Sequence, residues 1–218
     1  MPFPLPPQIA STLRQELDNQ ELRGDGTEAL VKALSTAFGG AVAMFVMAKC
    51  QVLPGQPALV IPPPAGVMNG STIAPGDLNG ALSADEATVF CRAAFADEGL
   101  ETPDAKGLAA AAGETLSKAL DAFVQNVKAA PGAVIMGGVT LPPGGTLMAL
   151  KPAMKWGIED AAVDALKANG IAGEGGKKLA PALGASLVTL LDGMVGTVLV
   201  LPGVAAAPGA TTSPGKLL

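Results

Sequence analysis

Gly99-Leu100-Glu101-Thr102-Pro103-Asp104-Ala105-Lys106-Gly107-Leu108 has a counterpart 71 positions on, Gly170-Ile171-Ala172-Gly173-Glu174-Gly175-Gly176-Lys177-Lys178-Leu179. Each stretch sets a glycine before an apolar residue, which is the signature of a helix closed by a left-handed C-terminal cap. Each then runs through turn residues to a second apolar position eight residues on. Leu22 and Leu30 repeat the spacing near the start of the chain, with Glu21 where the glycine stands elsewhere, so a different cap is expected there. Self-similarity at this period marks a supersecondary unit that buries its apolar face only against neighbouring copies.

Outward from these stretches the pattern extends in both directions. Upstream, Ile9, Leu13 and Leu17, then Ala87, Cys91 and Phe95, then Ile158, Ala162 and Leu166 recur every four residues, which predicts a short helix in each copy. Ser83 and Glu86 form a capping box at the start of the second of these. Downstream, Leu30, Phe38, Val42 and Phe45 align with Leu108, Leu116, Leu120 and Phe123, and with Leu179, Leu187, Leu191 and Met194. Those steps predict a longer helix with one apolar face. Small residues along it, such as Ala33, Gly39, Gly40, Ala119 and Gly184, permit close helix approach.

After the long helix the composition shifts. Pro54-Gly55, Pro131-Gly132 and Pro202-Gly203 each open an extended tract that helix cannot continue through. Each tract closes on a Gly-x-Thr-x-x-Pro-Gly motif: Gly70 to Gly76 with Thr72 and Pro75, Gly138 to Gly144 with Thr140 and Pro143, and Gly209 to Gly215 with Thr211 and Pro214. The expected fold is α+β: three tandem copies of a two-helix unit followed by a Pro/Gly-rich β-hairpin or extended arm. The copies are 1–80, 81–150 and 151–218, the first with a longer arm around Pro62-Pro63-Pro64. An uncovered apolar arm, as in Val198 to Leu201, is an aggregation liability unless something pairs with it. The Pro-Gly pairs and motif threonines named above are therefore the candidate interaction residues. A period of this length favours a compact cluster over a solenoid.

Composition removes several function classes. The chain has no histidine and no tyrosine, a net charge of −5 and only 3% aromatic residues. Without histidine the common general base, the Ser-His and Cys-His dyads and most zinc sites are missing. No Lys/Arg cluster exists to bind nucleic acid through phosphates. No catalytic, cofactor or metal residue is assigned, and no small-molecule substrate is expected. Cys50 and Cys91 read as buried free thiols. Asp97, Glu98, Glu101 and Asp104 have no recurring counterpart and read as a solvated loop. Asp121 and Asp192 recur and are expected to face solvent or a lysine on a neighbour, and Trp156 reads as a packing anchor. MPFPLPPQIA carries no basic or cleavable leader pattern. The apolar run Ala37 to Ala48 is shorter than the ~20 residues that span a bilayer.

The succession of short helix, Gly/Asp loop, Leu108-Ala109-Ala110-Ala111-Ala112 or Leu179-Ala180-Pro181-Ala182-Leu183 helix, and Thr/Gly/Pro tail resembles small structural proteins of tailed bacteriophages and phage-derived contractile injection machines. The resemblance implies a non-enzymatic subunit made in the cytoplasm and built into a virion or tail-like particle. Its partners would be other subunits or copies of itself. Pro181 inside the long helix and the longer first arm depart from the pattern. The competing expectations are a membrane-associated protein using its Ala/Val/Gly-rich segments, and an enzyme built on Asp97 and Glu101.

Overall fold

Gly99 and Gly170 close their helices in the left-handed region, with φ of 72° and 82°. The computed structural model describes residues 6–24, 26–61, 69–136, 139–140, 145–201, 205–206, 210–211 and 214–218. In the cap, the Leu100 amide returns to the Phe95 carbonyl at 2.8 Å, and Ile171 to Leu166 at 2.8 Å. The first helix has the same cap where a different one was expected. The Leu22 amide reaches the Leu17 carbonyl at 2.9 Å, and Glu21 takes φ 57° in place of a glycine.

Six helices follow one another in pairs: α1 (Pro6–Asn19) and α2 (Thr27–Met44), α3 (Ala84–Asp97) and α4 (Pro103–Asn126), α5 (Ile158–Ala168) and α6 (Glu174–Thr197). A π-helical turn, Phe45–Lys49, extends α2. Each helix packs on the next, and α6 returns to α1, so the six form a closed ring. The faces expected from periodicity point inward. Ile9, Leu13, Leu17, Ala87, Cys91, Phe95, Ile158, Ala162 and Leu166 are all buried, as are Phe38, Val42, Leu116, Leu120, Leu187 and Leu191. One apolar cluster runs from Ile9 to Leu217 through all three helix pairs.

With so few aromatic side chains, the ring depends on close backbone approach. A Cβ on Gly113 of α4 would lie 2.6 Å from the Thr88 backbone of α3, and one on Gly184 of α6 would lie 3.0 Å from the Glu159 backbone of α5. Overpacking at such contacts costs about 1–3 kcal/mol. The capping box at Ser83 and Glu86 is formed. A hydrogen bond from Lys49, assisted by the Ser83 amide and hydroxyl, draws the Glu86 carboxyl down to about 2.

The extended tracts do not stand free as arms. Six strands close into a barrel below the helix ring: β1 (Gln51–Val52), β4 (Gly76–Asn79), β5 (Val127–Ala129), β8 (Gly145–Ala149), β9 (Leu199–Leu201) and β12 (Gly215–Leu217). All six pairings are antiparallel, in the cyclic order β1, β4, β5, β8, β9, β12 and back to β1. Side chains alternate along the strands. Val52, Leu78, Val127, Ala129, Leu147, Val200 and Leu217 are buried, while Asp77, Thr146 and Lys216 face outward. Of the residues expected on an uncovered arm, Val198 and Val200 are 3% and 0% exposed within the shared core, and Leu199 is 40% exposed; β9 itself is paired on both sides.

Between the barrel strands the tracts make smaller pairs: β2 (Ala58–Ile61) with β3 (Asn69–Thr72), β6 (Val134–Met136) with β7 (Val139–Thr140), and β10 (Ala205–Ala206) with β11 (Ala210–Thr211). β3 also pairs with β6, and Pro57 bridges Ala210.

Left-handed backbone costs a non-glycine residue ~1–2 kcal/mol, and Glu21 has only an exposed 3.7 Å pair with Lys178 to set against it. Glu21→Gly should therefore raise stability by about 1 kcal/mol in urea denaturation. No gain over the parent would show that the strain is absent.

Candidate functional site

The motif threonines join the extended tracts to one another. Thr211 is 3% exposed, and its hydroxyl accepts from the Gln56 amide at 2.9 Å. Its carbonyl accepts from Gly55 at 2.6 Å, and its amide donates to the Gln56 carbonyl at 3.0 Å. Thr72 is 2% exposed and makes the same three bonds to another Pro-Gly turn. Its hydroxyl accepts from Ala133 at 3.0 Å, its carbonyl from Gly132 at 2.7 Å, and its amide donates to the Ala133 carbonyl at 3.1 Å. Each clasp thus ties one motif to a Pro-Gly turn of a different tract.

The glycines have distinct tasks within this arrangement. Gly55 and Gly132 sit at φ 98° and 99°, where a side chain would be strained. Gly76 makes room for Gln56: a Cβ there would lie 2.9 Å from the Gln56 side-chain carbon. Gly145 makes room for Ala133 in the same way, with 3.3 Å to its Cβ. Gln56 is 2% exposed; its Nε2 donates to the Ala74 carbonyl at 3.0 Å, and its Oε1 has no partner.

Of the candidate interaction residues, Pro54, Gly55, Pro75, Pro131, Gly132 and Pro214 are exposed, while Thr72, Gly76, Thr211 and Gly215 are buried. Thr140 pairs with Ile135 in β7. Pro143, Gly144, Pro202 and Gly203 lie outside the described residues. Among the described residues, the surface of these tracts available to a partner includes the prolines and Ile73, Val134 and Met136, which are 58%, 51% and 51% exposed. The buried threonines and glycines hold that surface together.

The remaining candidates fall where physical chemistry disperses them. Glu98 is drawn to Lys32 at 2.6 Å. Asp104 sits in the first turn of α4, where the helix N-terminus favours a carboxylate, and Asp97 and Glu101 stay exposed. No group of three or more potential metal-ligating side chains occurs among the described residues. Asp121 and Asp192 are exposed. Cys50 and Cys91 are buried and unpaired, and burial pushes both thiols up to about 12, far from the thiolate a nucleophile needs. Trp156 packs edge-on against Phe123 with ring centres 6.2 Å apart, and Phe123 against Phe45 at 6.4 Å.

Two helical stretches, Thr27–Lys49 and Glu174–Thr197, are long and apolar enough to cross a bilayer by length and composition. The first exceeds the run expected from sequence because the helix begins at Thr27, ten residues before Ala37. The apolar faces of both stretches line the shared core.

No protein-family model, curated protein or solved structure matches the chain.

Thr211→Val keeps the shape and removes the acceptor, leaving the buried Gln56 amide unpaired. A loss of about 1–3 kcal/mol is expected in chemical denaturation, with faster hydrogen exchange at Gln56. Thr72→Val should do the same at Ala133. Unchanged stability and exchange in both variants would show that the clasps carry no load.

Proposed function

We propose that the chain is three tandem copies of one unit, 1–80, 81–150 and 151–218, closed into a ring about a pseudo-threefold axis. On this reading it serves as a non-enzymatic structural subunit of a virion or phage-tail-like particle. One observation carries the proposal: the order of the barrel ladder. β1–β4, β5–β8 and β9–β12 are pairs within a unit, and β4–β5, β8–β9 and β12–β1 are pairs between successive units. Pairing within and between units alternates around the whole barrel, as expected of a fused trimer. The threonine clasps follow the same cycle, unit one to unit two through Thr72 and unit three to unit one through Thr211.

A ring of this kind suits assembly. Its interior is filled by apolar side chains, so its surfaces are what it offers to other molecules. Ile73, Val134 and Met136 expose apolar side chains there, the kind of surface that marks an interaction site when contiguous. The partners on this reading are other subunits or further copies of the chain. In the competing membrane reading, the two long apolar helices would have to leave the core they fill. Burial of 56% of each apolar window favours their role as core helices.

Gradient sedimentation of a lysate from the producing cell, followed by mass spectrometry, is the direct test. The chain is expected in fractions far heavier than its own 21.5 kDa. Recovery of the whole pool as free monomer, or with membranes, would contradict the proposal.

A further inference from the structure

We infer that the groove between α5, α6 and α1 is the docking site for a basic, apolar segment of a partner protein. The inference deepens the structural-subunit reading and rests on it through the alignment of the three units.

Three helix junctions join successive units; short side-chain bridges cross two of them, and a longer, exposed ion pair crosses the third. At α2/α3, Lys32 reaches Glu98 at 2.6 Å, beside the Arg14–Glu28 pair at 2.7 Å. At α4/α5, Asn169 donates to Glu114 at 3.1 Å, and its carbonyl lies where a Cβ on Gly107 would come within 2.7 Å. At α6/α1 the aligned positions have lost these groups. Pro181 stands where Lys32 does, Val163 where Arg14 does, and Ala185 where Glu114 does. Lys178 and Glu21 approach to 3.7 Å across this junction, both more than a third exposed.

What remains is a groove of about 490 Å³. Its lining combines the apolar Met154, Ile158, Pro181 and Val188 with the carboxylates of Glu16, Glu159 and Asp160. No lysine or arginine lines it among the described residues. Glu16 accepts only a long 3.5 Å bond from Asn19, and neither Glu159 nor Asp160 has an ion-pair partner among the described residues. Both sit in the first turn of α5, which explains their stability there and leaves their charge free to act outward.

Two further features favour an occupied groove. Pro181 lies in the interior of α6, where it forfeits a backbone hydrogen bond and breaks the local rule for helices. Met154 is 76% exposed, yet the segment bearing it is firmly anchored. Ala153 is fully buried, Trp156 packs on Phe123, and the indole N–H donates to the Lys151 carbonyl at 3.1 Å. Residues 150–157 precede α5, where 80–83 suffice before α3. Three carboxylates beside apolar side chains in one groove fit a lysine or arginine whose stem lies on Met154 and Val188 and whose charged head meets the carboxylates.

Trp156, two residues from Met154, provides the readout. The full chain is titrated at low ionic strength with acetyl-Leu-Lys-Leu-Lys-Leu-amide and with its Glu counterpart, following Trp156 fluorescence. The Lys peptide should bind saturably and the Glu peptide should not. Combining Glu16→Gln, Glu159→Gln and Asp160→Asn should weaken binding by about tenfold or more, while Glu28→Gln leaves it unchanged. Pro181→Lys, which restores the internal cation, should block it; circular dichroism checks that each variant is folded. No saturable binding of the Lys peptide, equal binding of the Glu peptide, or undiminished binding by the folded triple variant would overturn the inference. A negative titration with a folded, monomeric chain removes the groove and leaves the three-unit ring standing.

Discussion

Closure of the strand ladder is the constraint on which the rest of the molecule depends. A strand tract of two to five residues is too short to be stable alone, and every open edge invites pairing with another chain. The barrel removes both problems by giving each of its six strands two neighbours. Its last pairing, Gln51 with Lys216 and Val52 with Gly215, joins the two ends of the chain's pattern. That pairing brings α1 against α6 and so completes the helix ring above.

Ring and barrel share one core at their junction. Phe45 and Phe123 meet edge to face there, Trp156 packs against Phe123, and Met194 is fully buried in the same cluster. Elsewhere Phe38, Phe95, Ile9 and Ile158 join a core made up mostly of alanine, valine and leucine. Such side chains fill space only if backbones come close, which explains Gly113 against Thr88 and Gly184 against Glu159. Below the barrel, the threonine clasps hold the Pro-Gly turns in register. The conformational limits of proline and glycine are therefore used where turns must present a fixed surface.

Much of the helical layer was legible in the sequence. Four-residue spacing picked out buried positions such as Leu13, Cys91 and Ala162, and Ser83-x-x-Glu86 announced its capping box. Gly99 and Gly170 marked helix ends because no other residue adopts their backbone so cheaply. Glu21 was misread because the same logic allows an occasional non-glycine at a local cost. The barrel was not legible, since its pairings join residues as distant as Gln51 and Lys216, and strands so short carry almost no periodic signal. The task of the motif threonines was equally hidden. Recurrence flagged Thr72 and Thr211, but only coordinates show their hydroxyls accepting from amides in another tract. A usable signal for the α6/α1 groove did exist, in the replacement of Lys32 by Pro181 at the aligned position.

Circular permutation tests the closed ring most directly. If the α6/α1 and β12/β1 seam is a unit junction like the other two, the original ends can be joined through residues 1–5 and a short Gly/Ser linker, and the chain opened between Gly80 and Ala81. Thermal and urea unfolding, with light scattering, should find a monomer within about 1–2 kcal/mol of the parent, since loop closure depends only weakly on where the chain is cut. A permutant that fails to fold, or folds only as an oligomer, would contradict the ring.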